Sequence, residues 1–196
     1  TIIILVAVSL INLNEIVAQN ISLNGIRKVK DIIIYKDSLF YSAFPSVVRR
    51  SGNEILVAFR RAPDRRLFGQ QGISHTDPNS YLVMVRSGDG ESWTKEPELI
   101  FANPFGGSQD PCLLKLKDGT LLCTSYTWSL IRPDADSVLN RKLSLVQGKT
   151  KYSQAFAFMG GYLVRSSDGG KTWKGPIYPP SVPADVQSDV FGKTLP

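Results

Sequence analysis

The sequence predicts an all-β fold made of short antiparallel strands. Apolar runs of strand length alternate with turns, and 16 glycines and 12 prolines among the 196 residues supply much of the punctuation. A hairpin pattern occurs twice along the chain, and a strand followed by a glycine-rich turn and a tryptophan also occurs twice. Repetition of strand units in this order predicts a repeated antiparallel architecture.

The hairpin repeat joins two stretches that align without gaps. Residues 44–59 align on residues 110–125, and each stretch reads as a strand, a tight turn containing glycine and a second strand. The tips, Ser51-Gly52-Asn53 and Lys117-Asp118-Gly119, hold residues that tolerate the positive φ angles of hairpin turns. We therefore expect two equivalent hairpins.

The tryptophan repeat follows each hairpin. Residues 81–93 and 162–173 each read as a strand, a glycine-rich turn and a tryptophan that opens the next strand. Hairpin and tryptophan turn together give about four strands, which is one blade of a β-propeller. The chain thus predicts about two to three four-stranded antiparallel blades, with a loop insertion within 132–151 and a lone strand at 32–35 before the first blade.

The first residues predict an export signal. Residues 2–11 are almost wholly apolar, and Ala18-Gln19 follows a short polar stretch, as in the hydrophobic and cleavage regions of a signal peptide. We expect a signal peptide over residues 1–18, clipped at its N-terminus because no basic region precedes the run; a buried strand is the alternative. Export predicts a secreted or periplasmic protein. No membrane span is expected after cleavage, because the run is about half the ~20 residues of a spanning helix.

Residues 19–196 are then expected to form the N-terminal part of a β-propeller domain. Propellers typically have about four to eight blades, and fewer blades would leave apolar faces and strand edges open. We therefore expect further blades in the natural protein, and we expect the 196-residue piece alone to be inactive.

Composition and charge limit the classes of partner. The chain is 42% apolar and 20% charged, which is typical of a folded globular protein and not of a disordered or fibrous one. The formal net charge of +6 could attract an anionic glycan, although a generic solvated basic surface fits equally well. Nucleic-acid binding is not expected, because the basic pairs do not alternate with aromatics. They are scattered among apolar runs at Arg49-Arg50, Arg60-Arg61 and Arg65-Arg66.

Two cysteines flank the second hairpin tip. With a two-residue turn at Asp118-Gly119, Cys123 would face Leu114, and Cys112 would be its diagonal neighbour on the same face. Such a diagonal pair is near the upper limit for a disulfide, so two buried free thiols are preferred over a bond. One histidine and two separated cysteines make no zinc pattern, and neither a metal nor an organic cofactor is expected.

One predicted turn contains a motif that is known from a protein family. Ser166-x-Asp168-x-Gly170-x-Thr172-Trp173 is a full match to the Asp box of the sialidase superfamily. In such a turn the aspartate carboxylate can accept hydrogen bonds from nearby backbone N–H groups, and the tryptophan packs as an apolar wedge. The motif is therefore expected to be structural.

Residues 40–180 resemble that superfamily as a whole. The first copy of the motif is degenerate, because alignment on Trp93 places Gly88 where the aspartate should be and displaces Asp89 by one position. The resemblance implies a six-bladed β-propeller in the full protein, with both turns on its rim and away from the active site.

The resemblance also implies a chemistry. It implies a secreted glycoside hydrolase that removes terminal sialic acid or a related sugar from glycans, with three arginines on the sugar carboxylate and a loop aspartate as general acid/base. Asp77 matches that aspartate and is the expected catalytic residue. The first arginine position is Ala43 here, so Arg60 and Arg61 are expected to bind substrate in part, with Asp110 lining the same pocket.

Each of these assignments has a structural alternative. Asp77 precedes a proline and can simply initiate a turn, Arg60 and Arg61 can be solvated strand-end arginines, and Asp110 can cap a turn. The functional alternative is a non-enzymatic Asp-box propeller that binds glycans or proteins. Ala43 favours that alternative or a related hydrolase, whereas Asp77 and the arginines favour an exo-α-sialidase-like enzyme in the full-length protein.

Overall fold

The computed structural model describes residues 28–70, 77–131 and 155–180. The chain divides into two compact units, Thr1–Ile32 and Ile33–Pro196. In the first unit the described residues, 28–32, are exposed and form no strand. Every strand described below belongs to the second unit.

The first sheet has four antiparallel strands in chain order. One turn of 3-10 helix, Arg65–Phe68, follows the second strand. Asp64 is its N-cap, and the Asp64 side chain accepts a hydrogen bond from the Arg66 backbone N–H. The strands are β1 (Phe40–Arg49), β2 (Ile55–Pro63), β3 (Tyr81–Ser87) and β4 (Glu98–Phe101).

The second sheet has five strands. Its order is β5-β7-β8-β9, and the remaining strand, β6, also pairs with β7. All of these pairings are antiparallel. The strands are β5 (Gly107–Ser108), β6 (Cys112–Lys115), β7 (Leu121–Ile131), β8 (Ala155–Ser166) and β9 (Lys174–Ile177).

The hairpin repeat is confirmed at the level of register. Arg49 pairs with Ile55 in the first hairpin, and Lys115 pairs with Leu121 in the second, which are the same positions of the ungapped alignment. The next strand continues the equivalence, because Ile55 also pairs with Ser87 and Leu121 with Ser166. The two sheets are therefore two copies of one strand–turn–strand unit, and the all-β prediction is confirmed for the described residues.

A core of apolar side chains lies between the two sheets. Because successive strand residues point to opposite faces, Leu56 and Ala58 face this core while Val57 and Phe59 face the other side of the first sheet. Truncating one such buried leucine to alanine costs about 2–5 kcal/mol in typical proteins. The core residues are Leu56, Ala58, Leu82, Met84, Ile100, Leu113, Leu121, Cys123, Tyr162 and Val164.

The sheets stack head to tail. Leu56 and Ala58 of the first sheet are buried against the second sheet, whereas their repeat equivalents, Leu122 and Thr124, lie on the outer face of the second sheet. That outer face is apolar and open in the described residues, with Leu114 and Ile177 each more than half exposed. Equivalent surfaces therefore do not meet each other, which makes the contact between the sheets heterologous.

Hydrogen bonds from two ion-paired arginines join the two sheets at one end of the core. Arg86 on β3 forms a bidentate ion pair with Glu98 (2.5 and 2.8 Å) and also contacts Glu54. Its Nη1 donates to the carbonyl oxygen of Gly169 in the second sheet (2.9 Å), and Arg50 reaches the same carbonyl at 3.4 Å. The turn after β8 is thus fixed against the first sheet.

The expected β-propeller is not what the described residues form. They form two antiparallel sheets, of four and five strands, and no closed propeller. Strand alternation in the sequence reports which faces of each sheet are apolar, but it does not report how many sheets pack in sequence or whether they close.

The second hairpin corrects the predicted register of the cysteines. The Leu116 N–H donates to the Thr120 carbonyl, so the turn spans residues 117–119 and Gly119 adopts a φ of 85°. This longer turn shifts the pairing by one residue, so that Cys123 faces Leu113 and Cys112 faces Thr124. A one-residue slip moves a side chain to the other face, and accordingly Cys123 is buried, Cys112 is exposed and both are free.

The remaining sequence-based predictions concern the segment before β1, the signal peptide, the insertion and a membrane span. The lone strand expected at 32–35 is wrong, because this stretch pairs with no strand; Ile34 and Tyr35 instead pack on the outer face of the first sheet. The signal peptide at 1–18 and the insertion at 132–151 lie outside the described residues. Within the ranges that are described, no helix is long and apolar enough to cross a membrane.

Candidate functional site

The candidate site begins at Arg60, at the end of the face that β2 turns toward the second sheet. Its side chain is fully buried, and its guanidinium carbon lies 6.0 Å from the centroid of the Tyr41 ring. Ala43 is directly opposite Arg60 on β1, so a small side chain occupies the neighbouring strand position. The buried cation therefore has a small apolar residue as its cross-strand neighbour.

Asp77 lies on the connection between β2 and β3. Arg65 holds it with two hydrogen bonds, from Nε to Oδ2 (2.6 Å) and from Nη2 to Oδ1 (2.8 Å), and the Asn79 backbone N–H also donates to Oδ1 (2.8 Å). Only 1% of Asp77 is exposed. Both carboxylate oxygens are thus engaged, in the bidentate geometry that arginine favours.

The turn that carries Asp77 is anchored to the second sheet. The Ser80 hydroxyl lies within hydrogen-bond distance of the Asp77 carbonyl (2.9 Å) and the Ser108 carbonyl (2.7 Å). Gly107 permits this approach, because a Cβ there would lie 1.9 Å from the Asp77 carbonyl oxygen. Any other residue at that position would push the two segments apart, so Gly107 sets the position of the aspartate.

Asp110 precedes β6 and is half-buried. The Tyr126 hydroxyl donates to its Oδ2 (2.9 Å), while its Oδ1 is buried and accepts no hydrogen bond from the described residues. Burial, followed by the neighbouring carboxylate of Asp110, raises the pKa of Tyr126 to about 12. The tyrosine therefore stays protonated and donates, and the second oxygen of Asp110 is available to another donor.

Arg60 connects the two carboxylates electrostatically. Burial lowers the pKa of its guanidinium, and the negative charges of Asp77 and Asp110 act in the opposite direction, together with Tyr41 and Tyr126. An arginine remains charged in spite of such a shift. One buried cation thus interacts electrostatically with two carboxylates, one on the connection between β2 and β3 and one just before β6. Three of the four residues that the sequence predicts for the site, Arg60, Asp77 and Asp110, therefore share one electrostatic cluster.

Arg61 is not part of this cluster. It points to the other face of β2, where Nη2 pairs with Asp37 (2.5 Å), Nη1 donates to the Tyr81 hydroxyl (3.2 Å) and the guanidinium lies 3.7 Å from the Phe40 ring centroid. The reason is the two-residue period of a strand, which sends adjacent side chains to opposite faces. Arg61 therefore fastens the segment before β1 to the sheet.

The Ser166–Trp173 turn lies at the far end of the second sheet from the candidate site. Ser166 pairs with Leu121 at the start of β7, about 16 Å along the strand from Tyr126. Asp168 accepts hydrogen bonds from the Ser166 hydroxyl (2.8 Å) and from the Thr172 backbone N–H and hydroxyl (3.0 and 2.6 Å). The Gly170 N–H donates to Ser166 Oγ (2.7 Å) and Trp173 packs against the core. These contacts are structural.

The turn after β3 has the same design. Asp89 accepts from the Ser87 hydroxyl (3.0 Å) and from the backbone N–H groups of Glu91 (2.8 Å) and Ser92 (2.7 Å). Ser87 therefore takes the part of Ser166, and the turn is one residue shorter before Trp93. Alignment from the serine, rather than from the tryptophan, would have matched the two aspartates.

Sequence reasoning did not single out Arg65 or Tyr126 as site residues. Arg65 was noted only within a basic pair, although it supplies the ion pair to Asp77. Tyr126 carried a usable signal, because the ungapped hairpin alignment, extended by one residue, places it at the position of Arg60. Within the described residues, no group of three or more histidines, cysteines or carboxylates could hold a metal ion.

The chain is similar in fold to parts of longer proteins of known structure. A protein of unknown function from Dyadobacter fermentans matches with a TM-score of 0.74 and 52% identity, over 89% of this chain and 46% of that one. A family 117 glycoside hydrolase from the marine bacterium Zobellia galactanivorans matches with a TM-score of 0.51 and 12% identity, over 83% of this chain and 48% of that one. The chain thus spans about half the length of each, and the second likeness is one of fold.

Further comparisons add no family assignment. A protein described with the GH130 family of mannoside phosphorylases and β-1,2-mannoside hydrolases matches at a TM-score of 0.44 and 16% identity, over 74% of this chain and 38% of that one. No protein-family model and no curated protein matches the sequence.

The sialidase assignment made from the sequence is wrong. The two structures named above that match with a TM-score above 0.5 are a protein of unknown function and a glycoside hydrolase of family 117, and the described residues form two sheets instead of a propeller. The motif misleads because its hydrogen bonds stabilise a tight turn between two strands wherever one is needed. The turn at Asp89 makes the same kind of bonds without matching the motif, so these residues indicate a turn and not a family.

Proposed function

We propose that this chain supplies part of the active site of a glycoside hydrolase that acts on a glycan. The observation that carries the proposal is the carboxylate of Asp110, which is half-buried beside Arg60 and Tyr126 and keeps one oxygen without a donor in the described structure. Carboxylates placed in this way serve glycosidases as acids, bases or nucleophiles. The fold shared with a family 117 glycoside hydrolase is consistent with this class.

Asp110 is assigned the substrate-facing role. Its Oδ2 is held by the Tyr126 hydroxyl, and we assign its Oδ1, which has no donor among the described residues, to a substrate hydroxyl or a glycosidic oxygen. Arg60 adds a buried positive charge that interacts electrostatically with this carboxylate.

Asp77 is assigned a positioning role. Arg65 and the Asn79 N–H occupy both of its oxygens, and only 1% of the residue is exposed. A carboxylate in a bidentate ion pair is poorly suited to exchange protons with a substrate. We propose instead that Asp77 holds the turn beside Arg60 and contributes to the charge that keeps Arg60 in the site.

Glycan binding without cleavage is a second candidate function. Glycoside hydrolysis commonly needs two carboxylates flanking the scissile bond, and of the two aspartates brought together here only Asp110 retains an available oxygen. A site with one such carboxylate can accept hydrogen bonds from sugar hydroxyl groups without breaking a glycosidic bond. This observation favours a binding role for the described half-site.

The proposal is tested by activity of the purified full-length protein on a panel of chromogenic aryl glycosides and neutral oligosaccharides. We expect Asp110→Asn to lower kcat by about 100-fold or more, because it removes the charge that the reaction uses. Asp118→Asn, the same change at an exposed hairpin tip, serves as the control and should leave kcat unaltered.

The outcomes separate the two functions. Hydrolysis by the parent that survives Asp110→Asn would remove Asp110 from catalysis. Binding of a glycan without turnover, weakened by Asp110→Asn, would support the second function. Failure both to bind and to hydrolyse any glycan in the panel would overturn the proposal.

Export remains part of the proposal. It is supported by the apolar run at residues 2–11 and by the expectation of a glycan substrate, which exported hydrolases commonly meet. Mass spectrometry of the mature N-terminus from the native host tests it, since an exported protein should lack the residues before about position 19. A cytoplasmic protein that retains residues 2–11 would contradict this point.

A further inference from the structure

Three aromatic side chains lie beside Asp110 on the outer face of the second sheet. We call Tyr126, Trp128 and Phe158 the aromatic cluster. The ring centroid of Phe158 lies 5.8 Å from that of Tyr126 and 5.2 Å from that of Trp128, with interplanar angles of 55° and 57°. Phe158 is 51% exposed, and the other two rings are half-buried.

Strand geometry explains why these rings meet. Tyr126 and Trp128 are two residues apart on β7 and so share a face, and Phe158 on β8 pairs directly with Trp128. The inter-sheet core uses the opposite face of β7, through Leu121 and Cys123. The aromatic cluster therefore lies outside the core that joins the two sheets.

The position of the aromatic cluster connects it to the candidate site. The Tyr126 hydroxyl donates to Asp110 Oδ2, so the cluster and the carboxylate are joined by one hydrogen bond. By the hairpin repeat, Tyr126 also occupies the place on the second sheet that Arg60 occupies on the first. The aromatic cluster thus adjoins the candidate site through Tyr126, at the same end of the strands.

The chemistry of this surface defines its occupant. The faces of aromatic rings carry partial negative charge and attract C–H groups with partial positive charge. Asp110 Oδ1, beside them, is an acceptor that needs an O–H or N–H donor. A purely apolar segment would leave this acceptor unpaired, and an anionic ligand would meet a carboxylate. A neutral sugar offers both a C–H face and hydroxyl donors on one ring.

We propose that the aromatic cluster is a sugar-binding subsite, in which one unit of a neutral glycan stacks on Trp128 and Phe158 and donates a hydroxyl hydrogen bond to Asp110 Oδ1. The inference rests on the proposed function, because it takes a glycan as the ligand of the same site. It goes further in assigning the residues that select the glycan. Units with a continuous axial C–H face bind, and charged sugars are disfavoured.

Binding of neutral trisaccharides to the purified protein tests the subsite. Isothermal titration calorimetry with cellotriose, maltotriose, mannotriose and xylotriose identifies a ligand, and the dissociation constant is then compared among variants. We expect Trp128→Ala and Phe158→Ala each to weaken binding by about tenfold or more, as truncation of a central aromatic contact does in other interfaces. Tyr178→Ala, at a similarly exposed aromatic just after β9, should leave binding unchanged.

A second measurement does not depend on the alanine variants folding. Trp128→Phe keeps an aromatic face and should retain binding, while it removes the change in tryptophan emission that the ligand causes in the parent. The chain has three tryptophans, so the residual signal from Trp93 and Trp173 serves as an internal reference.

The possible results are distinct from those for the proposed function. A protein that binds or hydrolyses a glycan equally well with and without the aromatic cluster would overturn this inference and leave the proposed function standing. Exclusive binding of an anionic sugar would also overturn it. A protein that neither binds nor hydrolyses any glycan would overturn both.

Discussion

Arg60 and Arg61 are neighbours in the chain and have unlike surroundings. Arg60 is fully buried and interacts electrostatically with Asp77 and Asp110, whereas Arg61 lies over the Phe40 ring and pairs with Asp37 on the opposite face of β2. Composition and local sequence do not separate them. They differ because adjacent side chains of a strand point to opposite faces of the sheet, and both faces of this sheet are covered.

The ion pair of Asp77 and Arg65 makes a testable difference to stability. Removing one partner of a buried pair leaves the other charge uncompensated, so we expect Arg65→Met to lower the free energy of unfolding by about 3 kcal/mol. The measurement is chemical denaturation at pH 7. Arg66→Met provides a matched control, because Arg66 pairs with Asp64 but its side chain is 65% exposed, and it should change stability little.

An equal loss in both arginine variants would contradict the assigned role of Asp77. The control is close, since Arg65 and Arg66 are adjacent and belong to the same 3-10 turn. A difference between them can then be attributed to the buried carboxylate and not to the turn.

At the scale of elements, the two serine–aspartate turns show how different sequences reach one structure. In each, an aspartate accepts hydrogen bonds from the serine that ends the strand and from backbone N–H groups further along. The turns differ in length by one residue, and each is followed by a tryptophan that packs on a sheet. The bonds are local, so their presence does not depend on which fold surrounds them.

These turns predict a stability change in acid. Hydrogen bonds from the Ser92 and Glu91 backbone lower the pKa of Asp89 to about 2, and bonds from Thr172 lower the pKa of Asp168 further. A depressed carboxyl pKa gives stability that is present above the unfolded value, about 4, and lost as pH falls toward the folded value. We therefore expect Asp89→Asn and Asp168→Asn to lower Tm at pH 7, with a difference from the parent that narrows below about pH 4.

Thermal unfolding between pH 2 and pH 8 checks this expectation. Asp31→Asn, at an exposed residue outside any turn, is the control and should follow the parent at every pH. A gap for Asp89→Asn that stayed constant down to pH 2 would show that the charge of Asp89 is not what stabilises the turn.

At the scale of the whole molecule, the two sheets are related head to tail. The apolar face that the first sheet buries on the second has an equivalent on the outer side of the second sheet, and that equivalent is open in the described residues. Heterologous contacts of this kind can be repeated by a further sheet with the matching surface. The same outer face carries the aromatic cluster, with the proposed sugar-binding subsite, at its other end.

An open apolar face predicts self-association of the 196-residue chain. We expect Leu114→Lys combined with Ile177→Lys to lower the apparent mass in size-exclusion chromatography with light scattering, because two charges would have to be buried at the contact. Val29→Lys combined with Ile33→Lys adds the same charge at exposed residues outside the sheets and should not alter the mass. A monomeric parent would contradict the expectation.

The hairpins and their equivalence to each other were predictable because the information is local. Turn residues and strand alternation lie within a few positions of the pairs they specify, and the ungapped repeat gave Arg49–Ile55 and Lys115–Leu121 equivalent partners. The placement of Cys112 failed for an equally local reason, since a turn longer by one residue inverts the face of every side chain beyond it.

The composition of the candidate site was predictable only in part. Arg60, Asp77 and Asp110 were chosen from the sequence, and the structure brings these three together. The sequence did not predict the residues that pair with these aspartates, Arg65 and Tyr126, and that give Asp77 and Asp110 different roles. Arg65 reaches Asp77 from a 3-10 turn, and residue patterns do not encode that backbone path. Tyr126 reaches Asp110 from the neighbouring strand β7, a position that only the extended hairpin alignment indicates.

The sequence alone determined an all-β chain built from two copies of one strand unit, because strand period and turn chemistry are written in short stretches of residues. The tertiary structure decided the rest. It converted the Ser166–Trp173 motif from a family signature into a local turn at the far end of the sheet, and it placed Arg60 and Arg61 on opposite faces. It left Asp110, and not Asp77, with an available oxygen, because burial and pairing depend on residues that meet only when both sheets are packed.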